Sequence, residues 1–230
     1  MGATPTGRRR EEGELTSVTM TAQQAGPGLA PGRAEFRQRL LDGMAQAIRE
    51  RGFRESTVGD VVRHARTSRR TFYEHFVGKQ ECFIALLHES NSEMVRDIAA
   101  AVDARASFDT QVRQAIEAWI TSSQAQPHIT LSWIREIGSL GDEGRQFQRE
   151  SLEAFVELIH NLTDTPELRA AGIVPAPRQF AVMLVGGLRE LIATTVEDGG
   201  DIGDLTDVAV HATTALLGQE PRDEGPDQLR

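Results

Sequence analysis

The chain has 230 residues, enough to bury a full core in one or two domains. Its 39% hydrophobic and 5% aromatic residues contain no apolar run of about 18, which excludes a membrane span. The net charge of −9 argues against nucleic acid until its distribution is considered: residues 33–79 hold eleven Lys/Arg against six Asp/Glu, while residues 80–230 hold eleven against twenty-five. A basic segment joined to an acidic remainder is expected where one piece meets phosphate and the other faces solvent.

In chain order, residues 1–32 lack apolar periodicity and carry Pro5, Pro27 and Pro31, so a disordered arm is expected, with Arg8-Arg9-Arg10 as a basic cluster on it. From Arg33, the spacing of Phe36, Leu40, Leu41, Met44 and Ile48 predicts a helix closed by Gly52. Thr57 or Ser56 can cap a second helix with Val58, Val61 and Val62 on its inner side, and Ser68 a third with Phe72 and Phe76. Gly78 breaks the chain. Longer helices follow at about 79–104, 108–125, 127–140, 143–163, 177–198 and 203–217, and residues 219–230 form a polar, flexible tail. No stretch alternates with period two for long enough to make a strand. The expectation is an all-α protein with a three-helix domain over 33–78 and a larger helical domain over 79–218. The single cysteine, Cys82, cannot close an internal disulfide and reads as a buried free thiol. The start lacks a secretory signal pattern, so the expected location is cytoplasmic.

The informative string runs from Thr57 to Phe76 and on to Lys79. It describes two short helices joined by a tight turn, the second presenting Ser68, Arg69, Arg70 and Thr71 in its N-terminal half. In a helix-turn-helix that helix enters the major groove, where the planar fork of arginine takes guanine O6 and N7 together. Arg51-Gly52-Phe53, Thr57 and above all Ser68-Arg69-Arg70-Thr71-Phe72-Tyr73-Glu74-His75-Phe76 with Lys79 resemble the TetR family of regulators. By that resemblance Thr57, Tyr73 and Lys79 hold phosphates, Arg69, Arg70 and Thr71 face the bases, and His75 serves either role; Ser68, at the start of the same helix, is also expected at the DNA. Two departures stand out: Arg66 occupies the turn position where the family commonly has glycine, and Thr67 follows it. Arg66 is strained if its φ is positive. Gly59, a poor helix former, would allow close backbone approach to DNA or a neighbouring helix.

The resemblance further implies a dimer reading a palindromic operator on double-stranded DNA, a small-molecule effector of unidentified kind, and no cofactor. The expected dimer interface uses Val182, Val185, Gly186, Leu188 and Ile192 on one helix and Leu205, Val208, Ala212 and Leu216 on the last. Trp119, Trp133, Ile137, Phe147, Phe155, Leu158 and Met183 are the expected walls of a ligand pocket, with Arg135, Glu136, His128 and His160 as polar candidates. One rival is a DNA-binding regulator with no small ligand. Another is a helical metal-dependent enzyme, suggested by Glu157 and His160 at Glu-x-x-His spacing with Glu153 one turn earlier. Such a centre needs a second copy of the motif, which the sequence lacks, so no metal site and no enzyme are expected.

Overall fold

The computed structural model describes residues 31–218; the proposed N-terminal arm, apart from its last two residues, and the C-terminal tail lie outside the described residues. Ten α-helices follow one another: α1 (Pro31–Glu55), α2 (Val58–His64), α3 (Arg69–His75), α4 (Lys79–Ala101), α5 (Phe108–Ala125), α6 (Pro127–Glu136), α7 (Gly141–Thr163), α8 (Pro166–Ala170), α9 (Arg178–Glu197) and α10 (Thr206–Leu217). Short 3-10 turns at Ile137–Ser139 and Ile202–Leu205 precede α7 and α10. No strand occurs among the described residues, so the all-α expectation stands. The short α8 is not among the helices expected from the sequence.

The first three helices are made by their caps and their small core. In α1 the helical track breaks at Gly52, whose φ of 74° and ψ of 164° suit a residue without Cβ. Thr57 caps α2: its hydroxyl accepts from the Asp60 amide, while the Asp60 carboxylate accepts from the Thr57 amide. Ser56 does something else, donating to the Gly52 carbonyl at 2.6 Å. Ser68 caps α3 by accepting from the Thr71 amide. Leu40, Leu41, Met44, Val61 and Phe72 are fully buried in the core these helices share with Cys82 and Phe83 of α4. Gly43 permits the approach of α2 to α1, since a Cβ there would lie 2.6 Å from the Val61 carbonyl oxygen.

Helices α4 to α10 pack as a second, larger layer, with α4 on α5 and α7, α9 on α6 and α7, and α10 on α5 and α9. The hydrophobic core runs without a break from the first layer into the second. Helix α1 also touches α6, where Arg54 Nε donates to Glu136 Oε2 at 2.7 Å. Helix α9 alone among the described residues is long and apolar enough to cross a membrane by length and composition. It carries Arg189 and Glu190 at its middle, and packs Ala181, Leu184, Val185, Leu188, Ile192 and Ala193 into the protein.

Candidate nucleic-acid interface and ligand cavity

The turn between α2 and α3 has φ of +49° at Arg66, the one non-glycine residue with positive φ among the described residues. The Thr67 amide donates to the Val62 carbonyl and the Arg66 amide to the Arg63 carbonyl, which is the Schellman ending of a helix. An L side chain in that conformation costs roughly 1–2 kcal/mol. Arg39 of α1 offsets part of this, because its guanidinium donates to the Ala65 carbonyl at 2.5 and 3.1 Å and to the Arg66 carbonyl at 2.7 Å. A strained residue therefore stands where the resemblance leads one to expect glycine, with its own carbonyl and that of Ala65 held from the neighbouring helix.

Helix α3 buries Phe72 on one side and turns Arg69, Arg70 and Tyr73 outward; Tyr73 is 58% exposed. Arg70 makes a loose exposed pair with Glu74, 3.2 Å away. A Cβ on Gly59 would lie 3.2 Å from the Arg69 Nη2, so the missing side chain leaves room for that guanidinium. Ser68 and Thr71 share a hydrogen bond at 3.0 Å, so part of their polar capacity serves the cap. His75 is half-buried, and desolvation, helped by the nearby charges of Arg33 and Arg37, holds its pKa below the ordinary histidine value. Arg33 and Arg37 thus add positive charge beside α3 from the start of α1, and Arg37 lies over the Phe76 ring at 5.6 Å. Sequence reasoning missed both, because only the packing of α1 against α3 brings them there.

Lys79 is placed differently from its expected role. Its ammonium donates to the carbonyls of Phe53 at 2.9 Å, Arg54 at 3.1 Å and Ser56 at 2.8 Å, and lies 4.4 Å from the Phe53 ring centre. An ammonium has three donors and all three are spent inside the protein. Lys79 closes the end of α1 instead of reaching for phosphate. Thr57 is likewise occupied, its hydroxyl donating to Asp60 Oδ2 at 2.7 Å while accepting from the Asp60 amide.

In the larger layer, a cavity of about 100 Å³ opens among α4, α5, α6, α7, α9 and α10. Trp119, Trp133, Phe155 and Leu158 line it. Ile137 and Phe147 are fully buried but lie outside the wall, Phe147 packing edge-on against His88. Met183 was expected in the wall and instead points outward, 62% exposed, because α9 turns the side opposite to it toward the core. The polar candidates fall away from the cavity too. Arg135 pairs with Glu190 and Glu197, Glu136 with Arg54, and His160 sits 3.8 Å from Asp164; His128 is exposed on α6. Glu153, the third member of the metal motif, pairs with Arg178.

The residues expected at a dimer interface divide into two sets. Val185, Leu188 and Ile192 are buried within the chain, and the first two line the cavity. Gly186, Val208 and Ala212 are exposed, with Val182, Leu205 and Leu216 at intermediate burial. The outer face of α9 and α10 accordingly shows Met183, Gly186, Gly187, Leu191, Val208 and Ala212. The one-helix apolar stripe was broader than a single contact, and its inner half serves the chain's own core.

These features define an all-helical protein with an N-terminal helix-turn-helix joined to a larger helical layer containing a cavity. Residues 40–86 match the model of the bacterial regulatory proteins of the tetR family. The fold over most of the chain is that of solved regulators. A fatty acid degradation regulator, FadR, from Bacillus halodurans superposes with a TM-score of 0.69 at 18% identity, over 85% of this chain and 97% of that one. FadR from Bacillus subtilis, solved in complex with stearoyl-CoA, gives 0.67 at 18% identity over 78% and 97%. A TetR-like transcriptional regulator from Rhodococcus sp. RHA1 gives 0.59 at 22% identity over 80% and 97%. No curated protein matches the chain.

Proposed function

We propose that this chain is a homodimeric, sequence-specific repressor that leaves a palindromic operator when a small molecule occupies its cavity. The observation that carries the DNA reading is the division of α3: Phe72 buried below, Arg69, Arg70 and Tyr73 exposed above. Arginines at these positions reach base edges, each good bidentate pair contributing about 1–3 kcal/mol of discrimination. Arg33 and Arg37 extend the basic surface toward the phosphates.

The exposed face of α9 and α10 supports the dimer. Among the described residues nothing stands over Gly186 or Gly187, so a partner helix can approach closely there, with Met183, Leu191 and Val208 around it. Two-fold symmetry then sets two recognition helices about one DNA turn apart. The effector acts by binding better to a conformation with those helices misplaced; reversing occupancy from 99:1 to 1:99 takes about 5.5 kcal/mol of differential affinity. An apolar wall suits a largely apolar effector, and the Bacillus subtilis regulator of the same fold was solved with a ligand bearing a long acyl chain.

The test is a binding-site selection from random duplex DNA at stated salt, comparing the wild type with Arg69→Ala/Arg70→Ala. The expected result is a palindromic consensus for the wild type, lost or relaxed in the double variant. Enrichment of nothing by the wild type overturns the reading.

A further inference from the structure

Polar groups in the cavity wall are few, and most are already satisfied. Gln111 donates to the carbonyls of Ala104 and Ala106. Thr163 donates to the Ile159 and His160 carbonyls and accepts from the Ala176 amide, and Thr213 donates to the Ala209 carbonyl. Two donors remain. Trp133 Nε1 and Arg189 Nε are both buried without a hydrogen-bond partner, and both residues line the cavity. Arg189 forms no ion pair among the described residues. Its guanidinium instead lies over the Trp133 ring, 4.5 Å from the centroid. The neighbouring Glu190 is held by Arg135 on the outside of the helix. No carboxylate lines the wall, so Arg189 is its one charged group.

Two buried donors without a protein acceptor, one of them the Nε of a guanidinium, in an otherwise apolar wall favour a guest that brings an acceptor. We infer that the cavity takes an organic monocarboxylate, its carboxylate received by Arg189 and the Trp133 indole N–H and its apolar body lying against Trp119, Phe155 and Leu158. The inference rests on the effector reading above and names the chemical class of that effector. The two unspent groups are donors only, which selects an acceptor-rich head over an amine. The guanidinium fork matches a carboxylate in geometry as well as charge.

The chain's two tryptophans, Trp119 and Trp133, both stand in this wall, so their emission reports occupancy directly. The full chain is titrated with the series from hexanoate to dodecanoate and with the alcohols and methyl esters of the same chain lengths. Carboxylates are expected to bind more tightly than the matched alcohols and esters. Arg189→Gln is expected to weaken carboxylate binding about ten- to a hundredfold, the weight of a charged hydrogen bond, while leaving the alcohols unchanged. Arg189→Lys keeps the charge and retains part of the preference; Trp133→Phe keeps the ring and loses only the N–H share. Equal binding of acids and alcohols by the wild type overturns the anion anchor and leaves an apolar effector site standing. A parallel loss of acids and alcohols in Arg189→Gln shows a scaffold role and likewise overturns the anchor. Binding of none of these compounds removes both the inference and this cavity as the effector site.

Discussion

Arg54 Nε donates to Glu136 Oε2 at 2.7 Å, joining the end of α1 to the end of α6. Three residues before Glu136 on the same helix, Trp133 stands in the cavity wall. Under the proposed function, a displacement of α6 by a guest would reach α1, which carries Arg33, Arg37 and the base of the reading domain. Helix α4, which runs from Cys82 and Phe83 in the core of the reading domain to Ile98 in the cavity wall, is the other connection between the two. Replacing Glu136 by Gln is expected to leave thermal stability nearly unchanged, since Arg54 is exposed and such pairs contribute little. The same change should shift the effector concentration that half-releases operator DNA. Fluorescence anisotropy of labelled operator, titrated with effector, measures this; an unchanged midpoint would assign the coupling to α4 alone.

The contact between Gly43 and Val61 has no slack. A methyl group on Gly43 meets the Val61 carbonyl at 2.6 Å and the Ala65 amide nitrogen at 3.0 Å, all of it backbone. Gly43→Ala should therefore cost roughly 1–3 kcal/mol, the range for overpacking, despite the better helix propensity of alanine. A denaturant midpoint above that of the wild type would contradict this.

Arg66→Gly should act in the opposite direction. Glycine removes the αL strain at φ +49° without touching the carbonyls that Arg39 holds, and a gain of about 1 kcal/mol is expected. Operator affinity should change little if the Arg66 side chain does not meet DNA. Calorimetric unfolding and an operator titration check the two halves separately.

Lys79 and Tyr73 separate stability from binding. Lys79→Ala removes three donors from the carbonyls at the end of α1 and should lower stability by about 2 kcal/mol. It should leave the slope of log affinity against log salt unchanged, because its three donors are committed to those carbonyls. Tyr73→Ala should keep stability and weaken binding to all sequences alike. A salt slope reduced by about one in Lys79→Ala would restore the phosphate role expected from the sequence.

Asp60 gives the reading domain a pH signature. Hydrogen bonds from the Thr57 hydroxyl and then the Thr57 amide, with Arg63 and Arg51 nearby, hold its carboxyl down to about 2, against an unfolded value of about 3.9. A depressed folded pKa stabilises the protein fully above the unfolded value and less as pH falls through about 4 toward 2. The stability curves of wild type and Asp60→Asn should converge over that window. Curves that stay parallel would show that the capping box does not titrate with folding.

Much of this architecture was legible because its signals are local. Gly52, Thr57 and Ser68 declare helix ends through backbone freedom and hydroxyl geometry, and Phe72 and Phe76 fix the buried side of α3 by spacing alone. Arg66 announced its strain, since only a turn of known shape makes a missing glycine conspicuous. What escaped was relational. Lys79 has the same sequence context whether it meets phosphate or three carbonyls, and only the approach of α4 to the end of α1 decides. Val185, Leu188 and Met183 form one apolar helix in sequence, and periodicity cannot say which side meets the chain's own core. Arg189 interrupts an apolar run, the single hint of a charge turned inward. Its missing partner is visible only once six helices are assembled around it.

Cys82 carries a consequence of a different kind. Its side chain is fully buried between α1 and α4, Sγ 3.9 Å from the Leu40 carbonyl, and burial pushes the thiol up to about 12. A thiol reagent needs thiolate and access, so modification waits for α4 to lift from α1. Being the chain's one cysteine, it makes the unaltered protein a clock: the rate at which a reagent marks it counts how often the seam beneath the DNA reader opens, with and without a guest in the cavity.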